Sequence, residues 1–167
     1  MKNQQYWVEK LNLQPHPEGG FFKEVYRSEG TIPATALPTE FGGARSFATS
    51  IYFMLTAGNF SAFHRIKSDE TWHFYTGAAI TVSVIHKDSK LEEIHLGDNP
   101  DNGEVFQATV PANAWFASAL RKDEGYSLVG CTVAPGFDFQ DFEMAERESL
   151  IAEFPQHKSV IQKLTRV

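Results

Sequence analysis

Residues 58–77 read GNFSAFHRIKSDETWHFYTG. Between the two bracketing glycines lie two short runs rich in aromatic and β-forming residues, Ser61–Ile66 and Thr71–Tyr75, separated by the polar Lys67-Ser68-Asp69-Glu70. This pattern predicts two neighbouring strands joined by a tight connection. Side chains alternate between faces along a strand, so His64 and Ile66 point one way, and Glu70, Trp72 and Phe74 share a face on the next strand. In a closed barrel one of those faces is the interior, which small barrels use to hold a ligand. On these residues alone, His64 and Glu70 serve either as a base with its orienting partner or as two ligands of a metal ion. A stable divalent centre wants three or four protein groups, and this stretch supplies two.

The pattern extends outward in both directions. Short β-rich runs recur at Phe22–Arg27, Ser46–Leu55, Ile80–His86, Leu91–Leu96, Glu104–Val110, Trp115–Leu120 and Tyr126–Val133, with turn residues between them. Many short strands at near-regular spacing predict a mainly β sandwich or barrel. Residues 4–12 predict a short amphipathic helix, with Tyr6, Trp7 and Leu11 on one side, before Pro15, Pro17, Gly19 and Gly20 break the chain. After Pro135-Gly136 the texture changes. Phe142–Phe154 predicts a helix stopped by Pro155, and His157–Leu164 a second helical piece. The expected organisation is one domain over residues 1–167, with a barrel at about 21–133 and a helical region at about 140–165.

Composition narrows the function classes. The 167 residues carry a net charge of −6 with no basic cluster, which argues against nucleic acid or an anionic membrane as partner. No segment approaches the roughly 20 apolar residues of a membrane span, and the start has no signal-peptide core. The single Cys131 excludes an internal disulfide and a multi-cysteine zinc site. A soluble cytoplasmic protein handling a small molecule is the expectation.

The spacing Gly58-His64-Glu70-Gly77 resembles the first signature of the cupin superfamily, with Ile66 where a second histidine stands. The counterpart of the second signature is VFQATVPANAWFASAL at residues 105–120. It keeps Pro111 but has Asn113 for a glycine and Phe116 for the last metal-binding histidine. Two of four expected ligands are therefore apolar, and no metal or other cofactor is expected. If one binds, His64 and Glu70 are its ligands, with His73 or Gln107 the available compensation. Beyond these signatures the chain resembles the cupin-5 or DUF985 family. The resemblance is carried by HPEGGFFKEVYRS at 16–28, TSIYFML at 49–55, SAFHRIKSDETWHFYTG at 61–77, VPANAWFASAL at 110–120 and CTVAPGFDFQDFEMAERESLIAEFP at 131–155. It implies a jelly-roll β-barrel with short flanking helices, a homodimer, and a polar pocket open at one barrel end. Phe21, Phe22 and Val25 are expected to bury in the dimer interface or under the barrel rim.

GGFFKEVYRS is also similar to the N-terminal strand of a nucleotide-sugar epimerase of rhamnose synthesis, and His64 falls where that enzyme carries its proton-abstracting histidine. Gly19-Gly20 lack its preceding arginine. No matching aspartate is evident, and Tyr52 and Tyr75 are the candidates for its tyrosine. The leading expectation is a metal-independent epimerase or isomerase of a sugar or nucleotide-sugar. His64 is its base and Glu70 its orienter or second acid. Glu24, Arg27, Trp72, Phe74, Gln107 and His73 are its ligand-binding wall. The alternatives are a non-catalytic binding module and a metal-dependent enzyme with an incomplete ligand set.

Overall fold

A computed structural model describes residues 2–166. The elements run α1 (Gln4–Leu11), β1 (Gln14–Pro15), β2 (Phe21–Arg27), β3 (Thr31–Ile32), β4 (Arg45–Ser46), β5 (Thr49–Thr56), β6 (Phe60–Arg65) and β7 (Asp69–Gly77). They continue with β8 (Ile80–Ile85), β9 (Leu91–Leu96), β10 (Gln107–Val110), β11 (Trp115–Leu120), β12 (Tyr126–Ala134), β13 (Glu143–Met144), α2 (Arg147–Glu153) and α3 (Lys158–Lys163). Two antiparallel sheets carry the fold, in the orders β1-β2-β5-β12-β7-β10 and β13-β6-β11-β8-β9. No strand ladder joins the two among the described residues, so the sheets face each other without closing into a continuous barrel.

Alternation along the strands sorts the apolar residues into three packed groups. Phe53, Leu55, Trp72, Phe74, Val82, Val84, Phe116 and Val129 meet between the sheets. The opposite face of the five-stranded sheet, with Phe63, Ile85, Trp115 and Ala117, is covered by Leu150, Phe154, Ile161 and Leu164 from the C-terminal helices. Met54 and Leu128, on the outer face of the six-stranded sheet, lie under Trp7, Val8 and Leu11 of α1. That helix is started by Asn3, whose side chain accepts from Tyr6 N at 2.9 Å, and ended by Asn12 at φ 51°.

One sequence expectation changes. The helix expected from Phe142 starts at Arg147, because residues 143–144 pair with β6 as an extended segment and Glu146 caps the helix through the backbone N–H groups of Glu148 and Ser149. Phe21 packs in the α1 group and Phe22 against the inner core, while Val25 is exposed in the single chain, at 47%.

Candidate active site

A cavity of about 260 Å³ opens between the two sheets at the end where β2, β5, β6, β7 and β12 meet residues 137–142. Strand alternation supplies Thr49 and Ile51 from β5, His64 from β6, Glu70 from β7, and Cys131 and Val133 from β12. Strand β2 contributes Phe22, Glu24 and Arg27, although Glu24 and Arg27 are an odd number of residues apart. A β-bulge explains this. Glu24 pairs with Ile51 and Tyr26 with Ser50, so Val25 is the extra residue and Arg27 returns to the face of Glu24, opposite Thr49.

The floor holds two residues from the turn before β2, His16 and Glu18. Gly19 and Gly20 adopt φ of 114° and 74°, a conformation that glycine alone takes without penalty, and a side chain at Gly19 would collide with the Phe60 carbonyl. The turn is held against β6 by Ala62 N donating to Glu18 O at 2.8 Å, and by Arg166, which donates to Glu18 O at 3.3 Å as well as to Phe60 O at 2.9 Å and Asn59 Oδ1 at 3.1 Å. Glu18 is thereby driven inward, to 6% exposure.

There it meets His64, with Nε2 to Oε2 at 2.9 Å, while His64 Nδ1 lies 2.7 Å from the Ala62 carbonyl. A carbonyl only accepts, so Nδ1 carries a proton and Nε2 is left to the carboxylate. Burial alone would push the His64 pKa down. The Glu18 charge and its hydrogen bond outweigh burial and hold it above the ordinary value. Burial opposes ionisation of Glu18 too, and the His64 charge overcomes it, so its pKa is lowered. The pair rests as imidazolium and carboxylate. His64 is clamped between rings, with Phe116 at 4.1 Å and Phe142 stacked at 5.2 Å between centroids. His16 behaves oppositely. Burial lowers its pKa despite the attraction of Glu18, and its Nδ1 accepts from Glu18 N at 3.3 Å.

Glu70 has no salt-bridge partner of its own among the described residues and is 9% exposed. Burial raises its pKa to about 7, against the pull of His64 and with the push of Glu18. It is therefore the group of this cavity that titrates at neutral pH without an ion pair holding it. Cys131 beside it is pushed well up by burial and by the same two carboxylates, and stays a thiol.

The mouth is framed by Glu24, Arg27, Phe137, Asp138 and Phe139. Arg27 binds Glu24 at two points, 2.9 and 2.7 Å, and donates to the Phe137 carbonyl at 3.0 Å. The segment 137–142 is fixed at its far end by a buried two-point pair, Arg45 with Asp141, both contacts at 2.7 Å.

The residues present do not fit a metal ion. Ile66 and Phe116 have no lone pair to give, and both nitrogens of His64 are already engaged. Among the described residues no three His, Cys, Asp or Glu side chains are grouped to hold one.

Of the residues singled out in the sequence, the structure brings together His64, Glu70, Glu24 and Arg27 on the lining of one cavity, His64 from one sheet and the other three from the facing one. Trp72 and Phe74 point inward from the face of Glu70 but lie in the core and do not line the cavity. Gln107 and His73 are Cα partners on the outer face of the sheet, where His73 Nδ1 meets Gln107 Oε1 at 3.2 Å and Nε2 meets Thr132 Oγ1 at 3.3 Å. They face away from the cavity because alternation sets His73 opposite Glu70 and the register carries Gln107 with it. Tyr52 and Tyr75 pair at 6.0 Å and are likewise off the lining. The residues that sequence reasoning passed over are His16 and Glu18. Their signal was two ionisable groups beside a double glycine, directly before a strand that enters the interior.

Facing antiparallel sheets around a cavity at one end are the architecture expected of a cupin. A family model described as Cupin_5, Cupin superfamily (DUF985), matches residues 5–145, and the chain belongs to that family. Similar proteins include the uncharacterized protein YML079W of Saccharomyces cerevisiae, 29% identical over 154 residues, covering 86% of this chain and 76% of the relative. Among solved structures, protein SO0799 of Shewanella oneidensis is 42% identical with a TM-score of 0.88, covering 99% of both chains. A hypothetical protein from Leishmania major is 36% identical with a TM-score of 0.91, again over 99% of each. Oxalate decarboxylase of Bacillus subtilis shares the fold at 15% identity and a TM-score of 0.55, over 90% of this chain and 36% of that one. No helix among the described residues is long and apolar enough to cross a membrane.

Proposed function

We propose that this protein is a metal-independent acid–base cupin that binds a small carbohydrate-like molecule and moves a proton on a carbon next to its carbonyl, as an epimerase or isomerase does. The observation that carries the reading is Glu70, a buried carboxyl poised near neutrality in the cavity that also holds the Glu18–His64 ion pair. A general base works best with a pKa near the working pH. The roles expected from sequence change places: Glu70 gives and takes the proton. His64, with both nitrogens engaged, supplies a fixed positive charge beside it. A volume of about 260 Å³ is below the usual 300–1,000 Å³ of pockets for drug-sized ligands, which favours a free sugar over a nucleotide-sugar.

The engagement of both His64 nitrogens also supports a second reading, a pocket that binds without turnover. One experiment separates the two. A thermal-shift panel of free sugars, amino sugars and nucleotide-sugars identifies binders, and proton NMR in deuterium oxide follows exchange of the hydrogen next to their carbonyl. Acid–base catalysis requires exchange with the wild type, falling by about 100-fold or more in Glu70→Gln. Equal binding by both proteins with no exchange leaves the binding module.

We further read the facing sheets as the halves of a jelly roll and the protein as a cytoplasmic homodimer. The dimer reading is supported by the exposure of Val25 and Tyr75, at 47% and 50%. Symmetric pairs are the commonest oligomer, and a monomeric mass by light scattering at micromolar concentration would exclude one.

A further inference from the structure

The charge balance of the cavity says more about its ligand than the acid–base reading on which this inference rests. Among the described residues, Arg27 is the one lysine or arginine on the lining, and its fork is occupied twice by Glu24 and once by the Phe137 carbonyl. It presents no open two-point face to a phosphate or carboxylate. The other cation, His64, is answered by Glu18 at 2.9 Å. With those two pairs cancelled, the carboxyls of Glu70 and Asp138 remain on the lining. Glu70 is more than nine-tenths buried, where little water screens it. The wall beside Asp138 is aromatic. Phe137 and Phe139 have centroids 5.0 Å apart, with Phe142 at 6.4 and 6.1 Å from them. Phenyl faces carry partial negative charge and attract cations.

We propose that the cavity selects a small molecule bearing an ammonium group, and that Glu24 sets this selection by holding Arg27 neutralised at the mouth. Amines of sugar size are the members of this class that also satisfy the acid–base reading. Phosphorylated compounds are rejected, since the one guanidinium able to pair with them is already paired. Removal of the Glu24 carboxylate frees Arg27, which then repels cations and receives anions.

The test needs no turnover. Wild type, Glu24→Ala and Asp138→Asn are titrated with tetramethylammonium chloride and, separately, with sodium sulfate at constant ionic strength. Binding is followed through the NMR signals of the His16 and His64 imidazoles. The wild type should give saturable shifts with tetramethylammonium and none with sulfate. Asp138→Asn should weaken the cation at least tenfold, and Glu24→Ala should reverse the preference, sulfate now saturating. If Glu24→Ala does not fold, Glu24→Gln keeps the shape and removes the charge. Saturable sulfate binding by the wild type, no saturation by tetramethylammonium, or an unchanged preference after loss of the Glu24 charge would each overturn the proposal. Saturable ammonium binding in a protein that never exchanges a substrate hydrogen would instead retire the acid–base reading and leave this one standing.

Discussion

Replacing Glu18 by glutamine changes one oxygen to an amide at nearly constant volume and strands His64 in the floor of the cavity. The wild-type pair is buried, at 3% and 8% side-chain exposure, with a contact of 2.9 Å. Removing one member of a buried ion pair costs about 3–5 kcal/mol, because the survivor's charge is left uncompensated. For a domain of this size that is a fall in Tm of about 6–20 °C. His64→Gln should cost a similar amount by stranding Glu18, while the double variant should lose clearly less than the two costs added, since the surviving charge is gone. The pH dependence follows from the sign of the shifts. The folded His64 pKa lies above the unfolded value, so its stabilisation is fully present below pH 6.5 and is lost as pH rises through the folded pKa. Glu18 is shifted down, so its share is lost only on acidification below the ordinary carboxylate range. The gap between wild type and Glu18→Gln should therefore be widest near pH 5.5 and narrow by pH 8.5. Urea unfolding of all four proteins at those two pH values reads the cycle. Single costs below about 1 kcal/mol, or costs that add within about 0.5 kcal/mol, would refute the buried pair.

Three further outcomes follow from the same geometry. Glu70→Gln should stabilise the protein at pH 8 by up to about 3 kcal/mol, because a folded pKa of about 7 against an ordinary 4.5 makes ionisation destabilising as pH rises between those values. Parallel unfolding profiles for variant and wild type from pH 5 to 8 would contradict this. Elemental analysis after purification without a metal-affinity step should find far less than one equivalent of zinc, iron, nickel or manganese per chain. A full equivalent lost in His64→Ala would reinstate the metal reading. Arg45→Ala, which removes the two-point partner of buried Asp141 and leaves it only the Lys67 ammonium at 3.5 Å, should raise hydrogen exchange across residues 137–142 by about 10-fold or more, and unchanged protection would show that the segment is held by other contacts.

The fold was legible where chemistry repeats at short range. Residues 60–65 and 69–77 form the two strands expected from their turn-bounded runs, and alternation together with the signature spacing pointed His64 and Glu70 to the side on which the cavity lies. What alternation could not supply was depth. Trp72 and Phe74 share the face of Glu70, yet the cavity ends above them in packed core. Register was equally out of reach: pairing Gln107 with His73 turns it outward, and only the partner strand decides that. The bulge at Val25, which brings Arg27 back beside Glu24, breaks strict alternation and leaves no mark in a single sequence. His16 and Glu18 were hidden for a different reason. They lie in a turn, and their inward course depends on a hydrogen bond to Ala62, far along the chain.

The central claim is that a buried carboxyl at Glu70 stands ready to exchange a proton at neutral pH, and a carbon-13 NMR titration of its side-chain carboxyl tests that claim directly. The expected midpoint is about 7 in the wild type, with the signal absent in Glu70→Gln and the midpoint moved when Glu18 is replaced, since the Glu18 charge pushes it up. A midpoint near 4.5, insensitive to Glu18, would mean an ordinary solvated carboxylate and would contradict the account.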